Sequence, residues 1–355
     1  RISPPPSSSW PIGRPVYDTG LLALAESGGW AALADSPNKF DRYATEALFR
    51  KSWATATDVL GEHLVPALRG CALLVLLPDA LAARQAVPCM DYLTGHGFAP
   101  VAVHRFRFDR ETFADMWRYQ LNAATLDSLM LDELVCRKTD SILLLLRDGQ
   151  TPATSTGAAR LAALKGKSAP EKRTSTHLRT VLGCVNHVFV MVHCADDPLD
   201  ALRELSITTT GDELADCLTA LSDRPTPASV AGHIEQVAAI QDSVPAHDFD
   251  VPTAVRAVRD MIVNATPREP ASGRRALAAL DHAVDHHELD WRCWSQDLTA
   301  LGINSTSWDV LLVATQYTRH DLPNATQLIE RREPLPWLDP VPTAGAVAVV
   351  AARRR

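Results

Sequence analysis

His193 closes an apolar run, Val188-Phe189-Val190-Met191-Val192, and is followed by Cys194-Ala195-Asp196-Asp197-Pro198. The β-branched and aromatic content of the run predicts a buried strand ending at His193. An Asp immediately before a Pro predicts the cap of a new helix. Leu199, Leu202 and Leu205 then recur at the spacing that turns them inward together. A histidine at the mouth of a buried strand, facing a helix N-terminus, is suited to handling an anion. The same residues also describe a histidine at the core edge that bonds to backbone. Just upstream lie Arg160, Lys165, Lys167, Lys172, Arg173 and Arg179, against the single acid Glu171. Phosphoryl transfer needs cations around its phosphates, and this stretch fits that need. It also fits a solvated surface loop.

Three other groups have chemistry-bearing residue types but weaker patterns. His282 and His286 fall on one helical face at i,i+4, as a metal pair would, yet no third ligand follows at a recognisable spacing. They read as a solvated polar face beside Asp285 and His287. Trp291 and Trp294, at i,i+3, read as core or interface rather than a base-stacking platform. Gly157, Gly166 and Gly183 are too far apart for a phosphate-cradling loop of the Walker kind.

The elements that must position these residues can be read along the chain. Its 355 residues suffice for two domains with cores of their own. A net charge of −7 argues against a general nucleic-acid binder, and no apolar run is long enough to span a bilayer. The seven cysteines are scattered, without a CxxC pair, which points to reduced thiols in a cytoplasmic protein. Residues 1–10 read as a Pro/Ser-rich flexible leader within an N-terminal segment of residues 1–40. Residues 41–70 carry helical spacing. A buried strand is predicted at 72–77, then a helix through Leu81, Ala86, Met90 and Leu93, and a second strand from Pro100. Two helices follow over 110–136, one with Phe113, Trp117 and Leu121 inward, the other with Leu126, Leu129 and Leu134. Residues 141–146 form a third strand, and 148–180 a polar loop before the strand and helix around His193. This order predicts an α+β, ferredoxin-like antiparallel sheet covered by helices. From 208 to 340 five helical stretches predict a mainly α-helical C-terminal domain, and 341–355 a frayed basic tail.

Several blocks in this order resemble nucleoside diphosphate kinases. "LLVLLPDAL" and "DYLTGHGFAPVAV" are similar to the family's first strand, helix and second strand. "FDRETFADMW" resembles the segment that ends in an active-site tyrosine, here Trp117. In "LKGKSAP", Gly166, Ser168 and Pro170 match the family's loop. "HLR" ends at Arg179, with one residue more than usual before the histidine. His193, Asp196, Ala201 and Glu204 match the active-site segment and its helix. The resemblance spans about residues 71–207.

The resemblance implies a divergent nucleotide-dependent phosphotransferase acting on a small-molecule or nucleotide-like acceptor. His193 would carry the phosphoryl group and Glu204 would orient its ring. Arg160, Ser168, Arg179 and Trp117 would contact the nucleotide, and Mg²⁺ would accompany ATP or another NTP. Family members are commonly hexamers or tetramers, so a homo-oligomer is implied, although extra domains can block such contacts. No membrane or nucleic-acid partner is expected. The chain departs from the pattern at Leu77, where the family has a lysine, at Val190, where it has Asn, and at Cys194 and Ala195. These departures give a second reading: a catalytically inactive nucleotide- or partner-binding module.

Overall fold

The computed structural model describes residues 32–34, 36, 38–152, 154–265 and 270–329. The expected leader over residues 1–10 and tail over 341–355 lie outside the described residues. Four strands form its sheet: β1 (Cys71–Leu76), β2 (Phe98–Phe106), β3 (Ser141–Asp148) and β4 (Val192–Cys194). Their order is β2-β3-β1-β4, and every neighbouring pair is antiparallel. Before the sheet come α1 (Asn38–Tyr43), α2 (Ala47–Leu60) and α3 (Leu64–Gly70). Between strands lie α4 (Pro78–Ala82), α5 (Ala86–Gly95), α6 (Arg110–Met116), α7 (Leu126–Cys136), α8 (Gly157–Lys165) and α9 (Leu178–Val181). After β4 follow α10 (Pro198–Thr208), α11 (Gly211–Ala220), α12 (Pro227–Asp242) and α13 (Val251–Asn264). The last helices described are α14 (Pro270–His286), α15 (Trp291–Ala300) and α16 (Trp308–Tyr317).

The unbroken apolar run of β1 follows from cover on both faces, and every residue in it is buried. Strand alternation sends Leu73, Val75, Leu143 and Leu145 into one core, with Phe49, Trp53 and Leu68 of α2 and α3 and Leu202 and Leu205 of α10. The alternate residues Leu74, Leu76, Ile142, Leu144 and Leu146 join Met90 of α5 and Val237 and Ile240 of α12. A third core gathers α13 to α16, Leu131 and Val135 of α7, and Phe189. The helices after residue 207 therefore cover the sheet as well as one another. No helix among the described residues is long and apolar enough to cross a membrane.

Five local expectations are corrected. The run Val188–Met191 is not strand: Val188 and Phe189 donate their N–H groups to Asn186 Oδ1, and only Val192–Cys194 joins the sheet. The single helix expected after Pro78 breaks at Arg84, held at φ 62° while its guanidinium bonds to the carbonyls of Gln241 and Val244. The expected polar loop 148–180 contains α8, capped by Thr156, which accepts from Ala159 N–H at 3.1 Å. In α7 the inward face is Leu131 and Val135, and Leu126 is exposed, because that helix packs toward α16 and the C-terminal core. The helix α15 was not expected at all. Its Trp291 and Trp294 are buried, as the core reading of that pair requires.

Candidate active site

The short strand β4 decides where His193 points. Val192 and Cys194 belong to the core on the Leu74 face, so the residue between them turns to the opposite face, toward α10. There His193 Nε2 lies 3.0 Å from Glu204 Oε1. Asp197 starts α10 by accepting the N–H groups of Leu199 at 2.9 Å and Asp200 at 2.8 Å, with Pro198 in the first turn. Lys39 Nζ binds both Asp197 and Asp200, and Tyr43 donates to Asp200, which fastens α1 to the start of α10.

The approach to β4 is anchored by the turn after β1. Leu77 N–H donates to the Met191 carbonyl at 2.9 Å, and Met191 N–H donates to Asp79 Oδ2 at 2.8 Å. Between these bonds Met191 is held at φ 57°, a left-handed conformation that costs an ordinary residue about 1–2 kcal/mol. Burial pushes the Asp79 carboxyl up to about 7, while the bond from Met191 and the charge of Arg179 oppose the rise. Trp117, at the end of α6, meets the His193 ring edge-on, with centroids 5.5 Å apart.

A cleft of about 380 Å³ opens onto His193, a volume suited to a small molecule. Trp117, Ser168 and Arg179 line it, as do Lys165 and Lys167. Arg179 is buried. It donates to the carbonyls of Gly166 at 3.2 Å and Val192 at 2.9 Å, and its Nε has no hydrogen-bond partner among the described residues. Burial draws its guanidinium below the ordinary arginine value, which a bound anion would reverse. Lys165 is also buried, with Nζ 3.3 Å from the Cys194 carbonyl and 3.9 Å from Asp196. Gly166 makes the sharp bend between Lys165 and Lys167 at φ 80°, where a Cβ would come within 2.6 Å of the His177 ring.

The basic stretch thus divides into two sets. Arg160 does not line the cleft: its Nε lies 2.7 Å from Asp148 Oδ2, its Nη2 bonds to Asp148 Oδ1 and the His96 carbonyl, and it covers the Phe98 ring. Arg173 staples backbone, donating to the carbonyls of Lys167, Cys184 and Asn186. Lys165, Lys167 and Arg179 line the cleft instead. Sequence reasoning had Lys165 and Lys167 within the basic stretch but did not select them; the burial of Lys165 beside β4 depends on α8, and Lys167 is exposed at the cleft rim. It missed Asp132, His187, His320 and Asp321, which also line the cleft from separate segments. Burial holds the Cys136 thiol well above its ordinary value, so this cleft cysteine is no thiolate nucleophile.

Among the described residues no group of three His, Cys, Asp or Glu side chains could hold a metal ion. The His282 and His286 rings lie tilted with centroids 4.5 Å apart, with no third ligand among the described residues. Near the cations, Asp196 is a cleft carboxylate beside Lys165, of the kind through which a Mg²⁺ ion carried on nucleotide phosphates would bind.

No family model matches the chain, and no curated protein matches it. Among solved structures it is similar to the nucleoside diphosphate kinase of Aquifex aeolicus in an orthorhombic crystal form, at 20% identity and a TM-score of 0.34. That similarity covers 40% of this chain and 96% of the other. A likeness of this size says nothing about chemistry, which must come from the cleft itself.

Proposed function

We propose that this protein moves a phosphoryl group from a nucleoside triphosphate to a small-molecule or nucleotide-like acceptor, with His193 as the carrier. One observation carries the reading: the 3.0 Å contact between His193 Nε2 and Glu204 Oε1, on the wall of a cleft that also presents Lys165, Lys167 and Arg179. A carboxylate at one ring nitrogen keeps the proton there and leaves the lone pair on the other. That second nitrogen, Nδ1, has no hydrogen-bond partner among the described residues. The sheet order and its helical cover fit the ferredoxin-like plan, and we place the fold there.

In the first half-reaction Nδ1 attacks the terminal phosphorus. The N–P bond forms as the bond to the bridging oxygen breaks, and the nucleoside diphosphate leaves with that electron pair. In the second, the acceptor oxygen attacks the same phosphorus, the N–P pair returns to Nδ1, and the hydroxyl proton passes to solvent. Glu204 steadies the positive charge that builds on the ring. Lys165 and Arg179 offset charge on the phosphoryl oxygens, and Ser168 supplies a hydroxyl donor. Mg²⁺, when bound with the nucleotide, screens the phosphate charge. Trp117 limits ring rotation by its edge contact.

The test is incubation with γ-labelled ATP or GTP and Mg²⁺, followed by acid and base treatment. Acid-labile, base-stable label that vanishes in His193→Ala is the expected result, and unchanged labelling in that variant overturns it. The second reading, a binding module without turnover, is favoured by Leu77, a buried apolar residue lining the cleft where the resembling family has a lysine. Nucleotide binding by calorimetry with no label, under any acceptor, would select it.

A further inference from the structure

Apart from its cations, the cleft has an aromatic wall interrupted by one amide. Phe113, Trp117 and Leu121 line the cleft from α6 and the turn after it. Trp117 packs on Phe113 and Phe108 at 5.0 and 5.5 Å between centroids, and it also meets His193. Gln120 lies within this turn and lines the same cleft. Its N–H donates to the Trp117 carbonyl at 2.8 Å, and its carbonyl accepts from Ala123 N–H at 3.2 Å. The backbone of Gln120 is therefore fixed beside Trp117.

The side-chain amide of Gln120 has no hydrogen-bond partner among the described residues, although its Oε1 is buried. Gln316 Oε1 is buried and unpartnered as well, but Gln316 does not line the cleft. A buried oxygen without a donor is costly, and in a binding cleft a ligand donor relieves that cost. Arg179 Nε, also buried, unpartnered and in the cleft, calls for an anion. One ligand answers both if it joins an anionic group to a flat apolar group that carries an N–H donor. A nucleotide whose base bears an exocyclic amine is such a ligand. A purine covers more of the wall formed by Phe113, Trp117 and Leu121 than a pyrimidine does.

We infer that Gln120 selects the base of the nucleotide: its Oε1 accepts an N–H of the adenine amino group, with the ring against the Trp117 wall, so that adenine nucleotides are preferred. The inference rests on the phosphotransfer reading of the cleft and names its nucleotide. The amide nitrogen of Gln120 can donate to an adenine ring nitrogen at the same time, the pairing by which glutamine reads adenine in nucleic acids. A base with an oxo group in place of the amine sets two acceptors against each other. A base with hydrogen there leaves Oε1 buried without a donor, and a polar site rejects both kinds.

The probes are nucleoside diphosphates, which bind without giving up a phosphoryl group to His193. ADP, purine riboside 5′-diphosphate (hydrogen for the amine), IDP (oxo for the amine) and ribose 5′-diphosphate (no base) are titrated calorimetrically, with Mg²⁺, into the full chain. ADP is expected to bind about tenfold more tightly than purine riboside 5′-diphosphate or IDP, the scale of one buried hydrogen bond. In Gln120→Met, a side chain of similar length without the amide, ADP and purine riboside 5′-diphosphate should bind equally, with ribose 5′-diphosphate unchanged. The wild-type comparison needs no variant, so it decides the matter even if Gln120→Met fails to melt cooperatively. Equal binding of ADP and purine riboside 5′-diphosphate to the wild type overturns the inference and leaves the phosphate end intact. Tighter binding of IDP than of ADP also overturns it. So does an ADP preference that survives in Gln120→Met, or an equal loss of ADP and ribose 5′-diphosphate in that variant, which would place the amide on the sugar. Failure of every diphosphate to bind overturns both the inference and the phosphotransfer reading.

Discussion

Asp79 shows how a single side chain can set the geometry of the candidate site from behind it. It fixes the Met191 N–H in a left-handed turn, and the next three residues are the strand that aims His193 at Glu204. Its folded value near 7 lies above the ordinary aspartate value of 3.8. The folded protein thus binds this proton more tightly than the unfolded chain. The stabilisation is complete below about pH 4 and is lost as pH rises through 7. Asp79→Asn keeps an acceptor for Met191 but does not titrate. The stability of the wild type relative to this variant should therefore fall by on the order of a few kcal/mol between pH 4 and pH 8. Urea unfolding at stepped pH measures this, and a flat difference would remove the buried carboxyl from the account. At the same scale, Glu204→Gln should lower phosphohistidine formation about 10–100-fold with nucleotide affinity little changed, because a positioning group acts on the ring and not on the phosphates. Rapid-quench labelling separates the two effects.

The element that matters most is α10. It presents Leu199, Leu202 and Leu205 to the core, buried to within 1% exposure, and Glu204 to His193. Its first turn is held by one residue, Asp197, which caps two N–H groups and also binds Lys39. Asp197→Ala removes a cap worth about 1 kcal/mol and unbalances a buried ion cluster, so a loss of about 2–4 kcal/mol is expected. A thermal melt reads this directly, and a shift of less than a degree or two would show that Asp200 alone holds Lys39. Asp197, Pro198 and the leucine spacing made this helix legible in the sequence. The strand before it was not. Val188 to Met191 have strand-like side chains, but Asn186 and Asp79, outside the run, take up the N–H groups of Val188, Phe189 and Met191, and Val190 N–H turns back to the Val188 carbonyl.

At the scale of the molecule, the sheet is closed by helices from both flanking segments. Phe49, Trp53 and Leu68 cover one face, and Val237 and Ile240 help cover the other. Phe189, just before β4, packs against Phe249 and Trp308 at 5.1 and 5.9 Å between centroids. A fragment of residues 71–207 would expose all three surfaces. It is expected to aggregate or to lack a cooperative melt, in contrast to the full chain. Gel filtration with calorimetry checks this, and a soluble fragment with a sharp transition would show that the sheet needs neither flank. The segment after α16 belongs to the same design, since it brings His320 and Asp321 to a cleft whose other walls lie more than a hundred residues earlier.

Local residue order by itself determined the antiparallel α+β plan, the cap of α10 and most of the later helices, and it singled out His193, Ser168 and Arg179, which line the cleft, and Glu204, which touches His193. Such features depend on periodicity and on neighbours a few positions apart, which a chain carries in its own order. Tertiary structure alone decided which cations serve the cleft. Arg160 and Arg173 look as available as Lys165 in the sequence, but they are taken by Asp148 and by loop carbonyls. It also decided that Asp132, His320 and Asp321 share a cleft with His193, because the segments that carry them are distant in the chain. The free energy of a charged side chain depends on burial and on its partners, and both are properties of the folded chain.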